Sequence, residues 1–375
     1  MRIAIVLNTS WNIYNFRLNL IKSFQKEGHE VHTIAPEDDY TPLLLEAGCT
    51  HHRLKMDSRG ANPFKDLLLI FELYALYRNL RPDVVLHFTI KPNIYGTLAA
   101  AALGIPSVNN VCGLGTAFLK NGFMARVAML LYRLSFRYAH KVFFQNQDDL
   151  KLFADFRLIT PQKADLVPGS GIDLTHFSPA PAATRKPFTF LMISRLITDK
   201  GITEYVRAIE YLKKQGVNAR FQLLGAIDEK HKQGIPAEEL KNWVNAGTLE
   251  YLGTTDDVRT YIQQAHCVVL PSYREGTPRT LLEAAAMARP LIATNVPGCR
   301  QVVEHEKNGL LCEAKNPQDL AAKMYAMATL PQHTLEQLGA HARKKAEKEF
   351  DESLVISKYL QTLNALSNRH SVSCK

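Results

Sequence analysis

Three things are scarce in this sequence, and each scarcity excludes something. Cysteine is thin and scattered, six residues in 375 with no Cys-x-x-Cys pair. That argues for free thiols in a reducing compartment and against zinc. Long apolar runs are missing. The nearest, Leu67 to Tyr77, is interrupted by Glu72, and none reaches the ~18–20 residues of a membrane-spanning helix. Acidic residues vanish locally: from Val84 to Gln147 there is no Asp or Glu, while Lys91, Lys120, Arg126, Arg133, Arg137 and Lys141 are present. A surface of one sign, in a chain of net charge +9, suits an anionic partner such as a membrane, a nucleic acid or a phosphorylated substrate. Signature loops are absent too. No Gly-x-Gly-x-x-Gly argues against a dehydrogenase, and no Gly-x-x-x-x-Gly-Lys-Ser/Thr against a P-loop NTPase. No Asp-x-Asp offers a ligand pair for a divalent ion on a diphosphate, and no nucleic-acid recognition motif is present.

What is there alternates. Met1 to Leu7 is apolar and is followed at once by polar Asn8–Ser10, so it reads as a first strand rather than a leader. Further short apolar strands are expected at 31–35, 83–87, 107–110 and 142–144, with helices at 16–26, 42–47, 63–80, 94–103 and 124–138 between them. A second series follows, with strands at 188–193, 220–224, 249–252, 267–270 and 291–293, and a nearly all-helical stretch from 317 to 366. Strands of four to six apolar residues separated by helices indicate parallel sheets covered on both faces. Ligands of such sheets bind in the loops at the strands' carboxyl ends, in the first half at 8–15, 88–93 and 111–118. The length suits two domains. The expected organisation is α/β: two doubly wound domains, 1–168 and 184–350, with a cleft between them. A Pro-, Gly- and Ser-rich linker joins them at 169–183. A last helix at 351–375 is expected to pack back on the first domain.

The predicted helix around Arg126, Arg133 and Arg137 carries these bases on one stripe, with Val127, Leu130, Leu131 and Leu134 beside it. It reads as a membrane-surface helix or as the solvated face of a packed one.

The most informative stretch is Leu270 to Ala284. Val268–Leu270 ends a strand, Thr277 is a favoured N-cap, Pro278 suits the first helical position, and Leu281 to Met287 continues as a buried helix. The start of that helix, near Arg279 and Thr280, is an anion site with phosphate as its common occupant. Glu275 and Glu283 bracket it. A carboxylate is unwelcome beside a phosphate, so both read as acceptors for hydroxyls, and a diphosphate flanked by two polyols, a nucleotide sugar, fits. A solvated loop Glu and a helix Glu in a surface pair fit the same residues. Ser194 to Gly201 adds Arg195 and Lys200 at another strand's end, a planar fork and a point charge for phosphate oxygens. Gly225 allows close backbone approach, and Tyr251, just before Gly253, is placed to border a base.

Ser194-Arg-Leu-x-x-x-Lys-Gly201 with Glu275 and Glu283 eight apart resembles the signature of retaining GT-B glycosyltransferases of family 4. So do Gly171-Ile-Asp-Leu-x-x-Phe177 and the Pro297-Gly298 and Asn308-Gly309 turns. In the first half, Asn12-Ile-Tyr-x-Phe-Arg17, Asn62-Pro-Phe64, Ile90-Lys-x-Asn-x-x-Gly96, Gly113-Leu-Gly115 and Leu134-Ser-Phe-x-x-Ala-His140 are similar to enzymes that extend undecaprenyl-diphosphate-linked saccharides. The resemblance implies two Rossmann-like domains and a nucleotide-sugar donor. It implies a lipid-linked diphosphate saccharide as acceptor, no metal or other cofactor, and a place at the inner face of the cytoplasmic membrane. It implies that Arg195 and Lys200 hold the donor diphosphate and Glu283 the ribose. Glu275 takes the sugar hydroxyls, and the backbone from Gly276 and Thr277 to Arg279 and Thr280 orients sugar and phosphate. It places Asn12, Lys91, Asn110 and Gly113 on the substrate side of the first domain, and it favours a hexose or N-acetylhexosamine, GalNAc from UDP-GalNAc first. One departure stands out. Many members carry a His near the donor sugar where this chain reads Asn109-Asn-Val-Cys-Gly113, which leaves either Asn110 or Cys112 in its place or the role absent. The residues leave open two other readings, a GT-B nucleotide-sugar epimerase and a non-catalytic nucleotide-sugar-binding subunit.

Overall fold

The computed structural model describes residues 1–57, 62–114, 122–179, 181, 186–229 and 231–373. Lys120 and the 115–118 part of the expected ligand loop lie outside them. The chain divides into two compact units, Met1–Ser170 with Ser353–Lys375, and Gly171–Glu352.

The first unit runs β1 (Arg2–Val6), α1 (Ser10–Lys26), β2 (Glu30–Ala35), α2 (Thr41–Glu46), β3 (Thr50–Arg53), α3 (Pro63–Leu80) and β4 (Val84–Phe88). A π-helical turn at Pro92–Gly96 leads into α4 (Thr97–Ala102). Then come β5 (Ser107–Val111), α5 (Phe123–Phe136), β6 (Lys141–Phe144), α6 (Gln147–Asp155) and β7 (Ala164–Leu166). Its seven strands form one sheet in the order β3-β2-β1-β4-β5-β6-β7, with every neighbouring pair parallel. The buried faces of β1 and β4 explain their largely apolar content, since helices cover both sides.

The second unit runs β8 (Phe188–Ile193), α7 (Ile202–Lys214), β9 (Ala219–Leu224), α8 (Ala237–Asn245), β10 (Glu250–Tyr251), α9 (Arg259–Gln264) and β11 (Cys267–Leu270). It continues with α10 (Arg279–Ala286), β12 (Leu291–Thr294), α11 (Cys299–Val302), β13 (Gly309–Cys312), α12 (Pro317–Thr329) and α13 (Gln332–Glu349). Its sheet order is β10-β9-β8-β11-β12-β13, again all parallel. The last helix, α14 (Glu352–Ser373), returns to the first unit, where Val355, Tyr359, Leu363 and Leu366 are buried with Ile3, Ile5 and Phe143. Residues of the 169–183 stretch belong to the second unit's core. Ile172 and Phe177 are buried there, and Ile172 bridges to Asp351.

Several expectations need correction. The first helix begins at Ser10 rather than Phe16, because Thr9 caps it by accepting from the Asn12 amide. Most of the expected 8–15 ligand loop is therefore helix. Polar edge strand β3, the short edge strand β7, helix α6 and β13 were not anticipated. Thr277 does not cap α10. The N-cap residue is Pro278, in extended backbone, and no side chain caps that end.

A polar knot sits inside the first unit. His87 on β4 is fully buried and bonds to the Tyr77 hydroxyl at 2.9 Å and to Asn109 Oδ1 at 3.2 Å. Burial pushes this imidazole down to about 3. A depressed histidine contributes stability that is complete above its unfolded value, ~6.5, and lost as pH falls toward the folded value. Between pH 6.5 and 5 this residue alone should cost about 1.4 kcal/mol per pH unit. Urea melts at pH 7 and pH 5 should show the His87→Gln variant losing less stability on acidification than the parent. Equal losses would remove His87 from the acid response.

Candidate active site

In a doubly wound sheet the crevice for a ligand lies where the strand order reverses, outside the carboxyl ends of the strands. In the second unit that point is between β8 and β11. The loops leaving those two strands are the two stretches singled out from the sequence, and they are knitted together. The Tyr273 amide donates to the Asp199 carbonyl at 2.9 Å, and the Thr280 hydroxyl donates to the Ile193 carbonyl at 3.2 Å. Gly201, which opens α7, has φ 76°, and a Cβ there would lie 2.1 Å from the Pro271 carbonyl oxygen. Only glycine lets the loops approach this closely.

The chemistry sits on this seam. Lys200 Nζ meets Glu275 Oε1 at 2.5 Å, with side-chain exposures of 22% and 12%. At the start of α10, Arg279 Nε donates to Oε1 of Glu283, one turn further in, at 2.9 Å. The two carboxylates read as separate ligand contacts are thus each held by a cation of the same site. The Leu281 and Leu282 amides bond back to the Pro278 carbonyl, which leaves the first-turn amide of Thr280 without an intrahelical partner. Arg195 is exposed and forms no ion pair among the described residues. The seam therefore presents a helix start, one exposed guanidinium and an ammonium shared with a carboxylate.

Around it, burial raises the Tyr273 hydroxyl well above the usual tyrosine range, helped by its hydrogen bond to Glu204, so it stays a neutral donor. Burial likewise raises the Cys299 thiol well above its ordinary value, which leaves no thiolate there. Ser194 and Ser272 follow β8 and β11, and both side-chain oxygens are buried without a partner. Sequence reasoning gave neither a role, because nothing local distinguishes a loop serine that meets another loop. Among the described residues no group of three His, Cys, Asp or Glu is placed to hold a metal ion.

Other predicted positions differ. At Gly225 a Cβ would lie 1.8 Å from the Ser194 carbonyl oxygen, so the approach of the β8 loop already requires glycine there. Tyr251 spends its hydroxyl on the Gly225 carbonyl at 2.9 Å. In the first unit, Asn110 is fully buried. It donates to the Tyr359 hydroxyl at 2.9 Å and accepts from Gln145 and Cys112. It is an interior network residue rather than an open replacement for a ligand-facing His. Lys91 pairs with buried Asp66 at 2.8 Å and is not a free cation. Asn12 lies in the first turn of α1 and bonds to Asn8. Gly113 has φ 121°, just past β5. Sequence reasoning quoted Arg17 as part of a motif but assigned it no role. The structure buries it.

Comparison with known proteins gives the same assignment from outside. The second half matches the family model "Glycosyl transferases group 1" over residues 176–345, and the first half matches "Glycosyl transferase 4-like" over residues 2–146. The chain is 29% identical, over 96% of its length and 98% of the relative's, to N,N'-diacetylbacillosaminyl-diphospho-undecaprenol alpha-1,3-N-acetylgalactosaminyltransferase of Campylobacter jejuni. It is 25% identical to the UDP-Gal:alpha-D-GlcNAc-diphosphoundecaprenol alpha-1,3-galactosyltransferase of Escherichia coli, over 68% of each chain. Among solved structures, HepE of Anabaena in complex with UDP and glucose superposes with a TM-score of 0.81 at 17% identity, over 97% of this chain and 99% of that one. A glycosyltransferase of Rickettsia africae superposes at 0.75 and 19%, over 97% and 98%. Two parallel-sheet units, a seam at the second unit's switch point and two glycosyltransferase models that between them take in most of the sequence converge on one conclusion: the chain belongs to the GT-B glycosyltransferases and is an enzyme of sugar transfer.

Proposed function

We propose that this enzyme is a retaining, metal-independent transferase that moves a hexose or N-acetylhexosamine onto a polyprenyl-diphosphate-linked saccharide, with UDP-GalNAc as the first donor to test. The observation that carries the proposal is the Lys200–Glu275 pair at the switch point of the second sheet, beside the start of α10. A donor diphosphate placed there competes for Lys200. Glu275 is then released to accept hydrogen bonds from the sugar hydroxyls, while Arg195 and the α10 amides take the remaining charge. Glu283 accepts from the ribose hydroxyls and keeps Arg279 turned along the helix.

On this reading transfer takes place on one face of the sugar. The acceptor hydroxyl attacks the anomeric carbon as the bond to the diphosphate oxygen breaks, and the leaving diphosphate takes the hydroxyl proton. The chain's part is to hold the developing negative charge with preorganised donors, the largest single term in most enzymes. The saccharide named for the Campylobacter relative, a diphospho-undecaprenol conjugate, supports the acceptor class.

The membrane partner is supported by the first unit's surface. On α5 and just past its end, Arg126, Arg133 and Arg137 are exposed beside exposed Phe123, Leu130, Leu134 and Tyr138. On α3, Phe64, Leu67, Leu68 and Phe71 form a second exposed apolar stripe at helical spacing, 52–81% exposed. Such a patch, rimmed by cations, suits an anionic leaflet at the inner face of the cytoplasmic membrane. No helix of the described residues is long and apolar enough to cross a membrane.

Titration calorimetry with UDP and UDP-sugars tests the donor assignment. The parent should bind, and Glu283→Ala should bind ~10–100-fold more weakly, the worth of hydrogen bonds to a charged group. Equal affinity would remove Glu283 from the ribose site. An absence of nucleotide binding by the parent would remove the proposal.

A further inference from the structure

The first unit has its own switch point, between β1 and β4, and a cation is buried beside it. Arg17, on α1, is 5% exposed. Its guanidinium lies 4.4 Å from the centroid of the Phe88 ring, at the carboxyl end of β4. Among the described residues its Nη2 meets a thiol, Cys112 Sγ at 3.9 Å, past the end of β5. Its Nε is buried without a partner, and no carboxylate pairs with it among the described residues. Cys112 leads on to Asn110 and then to Tyr359 and Gln145, all neutral groups. At the end of β4, Thr89 adopts a left-handed backbone, φ 66°, and its Oγ1 is buried with no partner. Strain in a non-glycine residue and unspent hydrogen-bonding groups cluster at functional sites.

An arginine taken from water with no acid to answer it is costly, and replacing it by an apolar side chain would be expected to stabilise the fold. The geometry points to a role outside folding: Arg17, with Thr89, is a phosphate-binding subsite at the carboxyl edge of the first unit's sheet, and its occupant is a phosphate of the acceptor's diphosphate. Lys91, which follows β4, is already neutralised by Asp66, whereas Arg17 has no carboxylate partner among the described residues. The identity of the anion as the acceptor's rests on the proposed function, whereas phosphate binding itself does not.

Arg17→Met keeps the volume and removes the charge, and Arg17→Lys keeps the charge and loses the fork. Thermal melts of the full-length protein with and without inorganic pyrophosphate provide the first arm. The parent should melt higher with pyrophosphate, Arg17→Lys should show a smaller rise, and Arg17→Met should keep only the part of the rise that Lys200→Ala removes, while Arg17→Met alone should melt no lower than the parent. The second arm is steady-state transfer. Arg17→Met should raise KM for the lipid-diphosphate acceptor ~10-fold or more, with KM for the donor unchanged. A lower melting point with an undiminished pyrophosphate response would show a structural arginine and overturn the inference. A change confined to the donor KM would overturn the acceptor assignment. A pyrophosphate response reduced in Arg17→Met and abolished only when Lys200→Ala is added would uphold the subsite even if transfer to a lipid acceptor were never observed.

Discussion

Lys200→Ala lowers kcat for sugar transfer by about 10²–10³-fold, the usual cost of deleting one donor aimed at developing charge. The side chain is held in place before substrate arrives. Glu275 keeps the ammonium, 22% exposed, in a pocket walled by the β8 and β11 loops, so it is partly desolvated before substrate arrives. A partly desolvated charge acts at lower effective dielectric than one in water, and it needs no reorganisation when the bond to the diphosphate breaks. The loss should therefore fall on kcat and kcat/KM together rather than on KM alone. Lys200→Arg should recover only part, since a planar fork does not replace a point charge in a site built around one. Glu275→Gln is the control for the pair. It frees Lys200 yet removes the sugar contact, and it should also impair transfer. Rapid-quench turnover at saturating donor separates the cases, and an unchanged kcat in Lys200→Ala would remove that residue from the mechanism.

Arg289→Ala unfolds the second unit at a markedly lower temperature. Sequence reading placed Arg289 and Pro290 as an ordinary helix stop. The structure shows a guanidinium 2% exposed, donating to the carbonyls of Ile262 and Gln263 at 3.0 Å each and to that of Pro181 at 2.6 Å. Burial lowers this arginine to about 10, which still leaves it charged at neutral pH. Truncation opens a cavity and strands three carbonyls that the side chain satisfied. Each penalty is on the order of 1–3 kcal/mol, and ~3–5 kcal/mol together is reasonable for a large buried side chain. At roughly 2–4 °C per kcal/mol for a unit of this size, the calorimetric transition should fall by about 10 °C. A shift under ~2 °C would show that the carbonyls find water instead.

Strands β1, β4, β8 and β11 were legible because parallel central strands are apolar on both faces. The strands that escaped, β3 with two histidines and an arginine, three-residue β7, and β13, lie at sheet edges, where one side faces water and the pattern weakens. The start of α1 escaped because its first turns are Asn-rich and polar, and only the Thr9 cap shows that they are helical. At the site, the residue types and the eight-residue spacing of Glu275 and Glu283 were visible. Their partners were not. Lys200 and Glu275 are 75 residues apart, and only the adjacency of β8 and β11 brings them together. The same holds for Asn110 and Tyr359, 249 residues apart, which turns a proposed ligand contact into a buried strut. Periodicity reports which face is wet, but not which loops share a sheet edge.

The central claim is that a sugar bound at the Lys200–Glu275 seam passes to a lipid-linked diphosphate saccharide. Its most direct test is mass spectrometry of an undecaprenyl-diphosphate saccharide incubated with the enzyme and UDP-GalNAc, with other UDP-sugars in parallel. The account predicts an acceptor heavier by one N-acetylhexosamine or hexose residue, and UDP released in equal amount. An acceptor of unchanged mass with every donor, while the nucleotide sugar is epimerised or merely bound, would contradict it.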